Sequence, residues 1–147
     1  MKTVAQVLKL KAAQNHAVHS VTPGHMVLDA IKLMAEKNVG ALLVMEADRL
    51  LGIVSERDYA RKMVLKGRSS VGTPVSAIMT APVRTVSPAQ TIEACMAIMT
   101  DSHLRHLPVV DEDGTLLGLL SIGDLVKEAI AEQAALIKQL EAYIRGD

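Results

Sequence analysis

VHSVTPGHMVLDAIKLMAEKNVGALLVMEADRLLGIVSERD (residues 18–58) is followed by VRTVSPAQTIEACMAIMTDSHLRHLPVVDEDGTLLGLLSIGD (residues 83–124). The second stretch restates the first. An offset of 65 relates Val18 to Val83, Pro23 to Pro88, Met34 to Met99, Leu42 to Leu107 and Val44 to Val109. One extra residue in the second acidic turn makes the offset 66, which then relates Leu50 to Leu116, Gly52 to Gly118, Ser55 to Ser121 and Asp58 to Asp124. A unit of this size is too small to close a core alone, so two copies imply a pseudo-two-fold pair. Gly, Ser and Asp recur with the apolar positions, which marks them for a role beyond packing.

Each copy reads as strand, helix, strand, strand, helix. In the second, residues 83–86 form a short extended run stopped by Ser87-Pro88, since a residue before proline avoids the helical region. Residues 91–100 carry apolar side chains at helical spacing, and 107–110 and 116–120 are apolar runs flanking the turn Asp111-Glu112-Asp113-Gly114. In the first copy the same reading places a first strand near 18–21, a helix at 27–36, strands at 41–45 and 50–54, and a terminal helix at 58–65 stopped by Gly67. The second terminal helix runs on from 124 to 144 before Gly146. Its far end carries an apolar stripe (Leu136, Ile137, Leu140, Ile144) that either folds back or meets a partner helix.

The fold class is therefore α/β (α+β): two pseudo-symmetric repeats with a long C-terminal helix. The domains expected are a first repeat over 1–67, with an N-terminal turn and an insert at 10–17 that reads as a flap; a linker at 68–74; a second repeat over 75–128; and a helical extension over 129–147. Val4-Ala5-Gln6-Val7-Leu8 resembles Val75-Ser76-Ala77-Ile78-Met79, so each is expected to make a short helical turn ahead of its own copy.

Composition narrows the function. The chain has 147 residues, half of them hydrophobic, and 16 basic residues balance 16 acidic ones. That neutrality gives no global pull toward nucleic acid, and the absence of Trp and Phe removes stacking platforms for single strands. No apolar run reaches membrane-span length. Lysines at 2, 9 and 11 interrupt any signal-like start, so a cytoplasmic location is expected. The single Cys95 lies in an apolar stretch and reads as core. The pairs His16/His19 and His103/His106 lack companion ligands at metal spacing, so no metal is expected. Lys62, Lys66 and Arg68 read as a solvated face. Neither serine has a base and an orienting acid beside it in sequence, so a nucleophile is not expected.

The chemistry concentrates in Gly52-Ile53-Val54-Ser55-Glu56-Arg57-Asp58 and Gly118-Leu119-Leu120-Ser121-Ile122-Gly123-Asp124. Serine at a helix start with an acid three residues on is a capping box, which stabilises the helix with no further function. The same geometry serves a ligand. A helix N-terminus attracts anionic oxygens, serine can bond phosphate or ribose, and a carboxylate accepts from two vicinal hydroxyls.

These pieces, in this order and repeated, resemble a tandem pair of CBS domains (a Bateman module) of the stand-alone bacterial type. The match spans nearly both copies: VSAIMT (75–80), TVSP (85–88), RHLPVVDEDGTLLGLLS (105–121) and the two GxxSxxD ends. Leu43 stands where the second copy has Pro108. The resemblance implies clefts between the repeats that take an adenosine ligand: AMP, ADP or ATP first, NAD or S-adenosylmethionine next. It implies that the aspartate takes the ribose and the serine helps with ribose or phosphate. Carried over, it nominates Arg105, His106, Ser121, Asp124 and Ser20 for one site. For the other it nominates Lys37, Gly40, Ala41, Ser55, Arg57, Asp58 and Thr85. Residues 18–21 and 83–86 would wall the adenine side. Arg105 makes the second site the better anion binder, since a guanidinium matches phosphate in a fork.

The expected role is a regulatory adenine-nucleotide sensor, not an enzyme. It would homodimerise through helices and act on an effector that is a separate polypeptide, with no nucleic-acid or membrane partner. An interaction scaffold of the same fold, with Ser and Asp serving only as caps, is the competing reading.

Overall fold

A computed structural model of the chain describes residues 2–13 and 18–146. His16, and the part of the expected flap from 14 to 17, lie outside the described residues. The elements run α1 (Val4–Ala13), β1 (Ser20–Val21), α2 (Val27–Lys37), β2 (Ala41–Glu46), β3 (Arg49–Ser55) and α3 (Glu56–Asp58), which continues as a π-helix over Tyr59–Val64. A 3₁₀ turn (Val75–Ala77) precedes α4 (Ile92–Ser102), β4 (His106–Val110), β5 (Leu116–Ser121) and α5 (Ile122–Arg145). The expected mixed α/β architecture and long terminal helix are present. Lys11 departs from expectation, because it closes α1 instead of opening a flap.

The chain forms two compact units, and neither is a contiguous repeat. One gathers residues 17–84 with 112–116. The other gathers residues 1–16, 85–111 and 117–147. The leading segments therefore serve the opposite copy from the one they precede. Val4–Leu8 packs with the second copy and Val75–Met79 with the first.

In the first-copy unit, β1 pairs parallel with β2, and β2 pairs antiparallel with β3. Val27, Ala30 and Met34 of α2 are buried with Leu42 and Val44 of β2 and with Val75 and Ile78 of the incoming segment. Thr80 joins the edge of β3 through paired backbone bonds with Ile53 (3.1 and 2.8 Å). This close approach explains Gly52. A Cβ there would lie 2.9 Å from both the Thr80 carbonyl oxygen and Met79 Sδ. Residues 68–74 are not a free linker. The Thr73 and Ser70 carbonyls accept from the Val27 and Leu28 N–H groups (2.9 and 3.0 Å), capping α2, whose N-cap Met26 has no side chain for the task.

The second-copy unit repeats the plan. Val4 and Val7 are buried with Ile92, Cys95, Leu107 and Leu125. A Cβ on Gly118 would lie 2.7 Å from Leu8 Cδ2, so Gly118 makes room for α1 as Gly52 does for 79–80. The Lys2 carbonyl accepts from Ile92 N (3.1 Å), the counterpart of Thr73 on Val27.

One expected strand is missing. Residues 83–86 contribute only an isolated bridge, Val86 to Val109. In the first copy β1 is held to β2 by a bond from Leu43 N to the His19 carbonyl (3.2 Å). The residue matching Leu43 is Pro108, which has no N–H to donate.

Candidate functional site

Both Ser-x-x-Asp segments sit where a β-strand turns into a helix. Ser55 ends β3 with extended backbone (φ −129°, ψ 165°) and is the N-cap of α3. Ser121 ends β5 in the same way (φ −105°, ψ 161°) and caps α5. The Ser55 hydroxyl accepts from Asp58 N (3.1 Å), and Asp58 Oδ2 accepts from Ser55 N (3.0 Å). Ser121 and Asp124 repeat the pair at 3.2 and 2.8 Å. Both are complete capping boxes, worth about 1 kcal/mol each by the usual cost of a lost cap. The cap is real in each copy, and a binding role has to be added to it.

The residue before the second strand belongs to the same corner. The Gly40 carbonyl accepts from Glu56 N (3.1 Å), and the Arg105 carbonyl accepts from Ile122 N (2.9 Å). These bonds dock the start of β2 or β4 against the first turn of the helix. Ala41 accordingly pairs with Ser55 across the sheet. Gly40, Ala41, Ser55, Arg57 and Asp58 thus form one corner. Arg105, His106, Ser121 and Asp124 form the other.

Arg57 and Arg105 are exposed, so either guanidinium is free to meet an anion from solvent. Lys37 is exposed in the last turn of α2. A Cβ on Gly40 would meet only Glu56 Oε1, at 3.9 Å, so that corner is open. Ser20 is exposed on β1 and lies in the first-copy unit, while Thr85 lies in the second-copy unit. Neither shares a unit with the Ser-x-x-Asp motif it was assigned to.

Three residues that sequence reasoning left out complete the corners. Lys62 Nζ is 3.2 Å from Asp58 Oδ1 and donates to the Ile78 carbonyl (3.0 Å). The Thr80 hydroxyl also donates to Asp58 Oδ1, at 3.3 Å. Lys11 Nζ donates to Asp124 Oδ2 and to the Leu119 carbonyl, both at 2.7 Å. The solvated-face reading therefore fails for Lys62. Its i,i+4 spacing from Asp58 was a usable signal. No local signal linked Lys11 to a residue so far along the chain.

The charge balance differs between the corners. Burial pushes the Asp124 carboxyl up. The Lys11 ammonium and the Ser121 N–H and hydroxyl outweigh it, leaving the group below the usual carboxylate value. His106 is pushed below its ordinary value, first by burial. Asp124 opposes that shift, while Lys11 and Arg105 add to it. Burial thus favours the neutral form of the His106 ring, beside a fixed carboxylate and two cations. Such a corner can accept from hydroxyls at the carboxylate and donate to a phosphate from Arg105, Lys11 and the helix start. His103 is not part of it; it is the exposed, left-handed C-cap of α4 (φ 54°), as Asn38 is of α2 (φ 55°). Among the described residues, no three His, Cys, Asp or Glu side chains come together as a metal cluster. No described helix is long and apolar enough to cross a membrane.

Comparison with known proteins places this geometry. The CBS-domain family model matches residues 10–65 and again 75–131. The CBS domain-containing protein CBSX3, mitochondrial, of Arabidopsis thaliana is 39% identical over 98% of this chain and 72% of its own length. A protein with CBS domains from Burkholderia ambifaria MC40-6, whose structure is solved, is 57% identical. It covers 90% of this chain and 96% of its own, with a TM-score of 0.85. CBSX2, solved in complex with AMP, is 29% identical over 90% of this chain and 99% of its own, with a TM-score of 0.71. Two matched repeats, each ending in the same capped corner, make this chain a member of the CBS-domain family, with two CBS domains in tandem.

Proposed function

We propose that the chain is a regulatory module that binds adenosine nucleotides at its two Ser-x-x-Asp corners and signals through a change of conformation or of dimer shape. The observation that carries the reading is the duplicated corner. In each copy a carboxylate is fixed at a helix N-terminus with an exposed arginine in the same corner, Arg57 in the first and Arg105 in the second. The AMP complex of CBSX2 supports an adenosine ligand. AMP, ADP and ATP fit a corner with cations for phosphate; NAD and S-adenosylmethionine share its ribose contact. Asp124 and Asp58 would take ribose hydroxyls, and Ser121 and Ser55 would assist. Arg105, His106 and Lys11 would face phosphate in the second copy, and Arg57, with Lys37, in the first.

The module does no chemistry of its own in this reading. A ligand shifts its conformational equilibrium only by binding one arrangement better than another. The output passes to a homodimer partner or a separate effector protein in the cytoplasm, with no nucleic acid or membrane involved.

One observation favours the competing scaffold reading. Both caps are complete, and lysines already occupy both carboxylates. Thermal-shift assays with AMP, ATP, NAD and S-adenosylmethionine separate the two. The sensor reading expects a rise in Tm with at least one compound, reduced in Asp124→Asn and lost in Asp58→Asn/Asp124→Asn, where the amide oxygens can still cap the helices. No shift with any adenosine compound leaves the scaffold.

A further inference from the structure

Helix α5 is 24 residues long, about 36 Å at the usual rise. Its own unit uses little of it. Leu125 and Glu128 are its buried residues, both within the first two turns. From residue 133 to 146 every position except Ala142 is exposed. This extension is apolar along one side: Ile137 and Leu140 are 56% and 53% exposed, and Ile144 is 82% exposed. The side continues back through Ile130 and Val126, also exposed. The positions 126, 130, 133, 137, 140 and 144 alternate four and three apart, the spacing of a two-helix seam. A projecting helix of this kind is marginal in water without a cover.

The charges beside the seam select the cover. Lys127 and Glu141 occupy the same flank, two heptads apart, and neither makes an ion pair among the described residues. In a parallel self-pair this flank faces the opposite one, so Lys127 would meet Ile122 and Glu141 would meet Leu136 of the second copy. In an antiparallel self-pair the flank faces itself. Centred beside Ala135, that pairing sets Lys127 against the second copy's Glu141, twice by symmetry. The same register sets Val126 on Ile144, Ile130 on Leu140 and Gln133 on Ile137, leaving four of six seam layers wholly apolar. Leu136 then meets its own copy near the axis. Antiparallel packing also opposes the helix dipoles.

We infer that α5 is a self-association surface whose occupant is the α5 of a second copy, antiparallel in this register. It specifies which helix and which pairing a homodimer uses. It does not depend on nucleotide binding.

Sedimentation equilibrium of the full chain over a wide concentration range tests it. Wild type is expected to dimerise. Lys127→Glu and Glu141→Lys each replace two attractions with two repulsions, so each is expected to weaken the dimer about tenfold. The combined swap Lys127→Glu/Glu141→Lys restores the pairing and returns the affinity to within about threefold of wild type. All these positions are exposed, so folding is not at risk. Leu136→Cys is expected to form a disulfide-linked dimer on oxidation, since Cys95 is buried. A chain that stays monomeric overturns the inference. So does a dimer indifferent to Ile137→Glu, or a combined swap no tighter than the single changes.

Discussion

In the first copy Asp58 is held by Lys62, one helical turn further on; in the second, Asp124 is held by Lys11, from a helix at the other end of the sequence. The turns themselves are nearly superimposable in bonding. The difference is in what a ligand must displace. Lys62 is 42% exposed, and an i,i+4 pair of that kind is worth about 0.3–0.5 kcal/mol. Both lysines also bond a backbone carbonyl, Ile78 for Lys62 and Leu119 for Lys11, but Lys11 is more enclosed and ties the last turn of α1 to the corner. A ribose at Asp124 would compete with the contact to α1, whereas one at Asp58 would compete with Lys62 and the Thr80 hydroxyl. The helices that follow differ as well. The first passes into π geometry, with Leu65 N bonded to the Ala60 carbonyl at 3.2 Å, and ends at Gly67; the second stays α-helical for 24 residues.

The largest expected effect tests whether the two corners are unequal. Asp124→Asn is expected to weaken AMP binding by about 10- to 100-fold, the loss of charged hydrogen bonds to ribose. Asp58→Asn is expected to cost less, because Gly40 stands where the second corner has Arg105 and Arg57 is the first corner's one exposed arginine. Titration calorimetry of both variants reads the ratio, and equal losses would erase the distinction.

Lys11→Met probes the tertiary tie. Loss of its two bonds is expected to lower stability by about 1–2 kcal/mol in urea unfolding; Lys62→Met is expected to cost less, because Lys62 is the more exposed of the two. Adenosine, which lacks phosphate, is expected to bind Lys11→Met at least as well as wild type, since Asp124 is released. A loss of adenosine affinity would mean that Lys11 organises the site instead of competing for it.

The pH dependence of stability follows from the same corner. His106 has its folded value depressed, so below its ordinary value near 6.5 the unfolded chain binds the extra proton. Its contribution is complete above that value and is lost as pH falls toward the folded value. Asp124 is also depressed, and its contribution goes at lower pH, as pH falls through the folded carboxylate value. His106→Gln is expected to flatten the first of these losses in urea titrations between pH 5 and 7, with no change above pH 7.

The smallest effect concerns the hairpins. Ala47 holds a positive φ (53°) in the first turn, where the extra residue of the second copy allows Gly114 to do so (φ 80°). Ala47→Gly is expected to raise stability by no more than about 1 kcal/mol, seen as a small rise in Tm.

Much of this was legible in residue order. Apolar runs and their spacing place β2, β3, β4, β5, α2 and α4 within two residues of where they lie, because each is periodic and ended by a local signal. The Ser-Asp caps were legible too, as their partners are three residues apart. Contacts between distant segments were not. Exchange of the leading segments depends on Leu8 filling the space over Gly118, which no local pattern encodes. The missing strand at 83–86 was half legible: Pro108 was visible, but its consequence required knowing that Leu43 donates to His19. Lys11 falls within the insert expected to be a flap, because nothing near it in sequence announces a carboxylate from α5.

The central claim is that these capped corners hold a nucleotide. The most direct measurement is a ¹H–¹⁵N NMR titration of the full chain with AMP, with the backbone amides assigned. The account expects saturable shifts at Arg105, His106 and residues 121–124, with weaker ones at 40–41 and 55–58. Saturating AMP that leaves both sets of amides unmoved would contradict it.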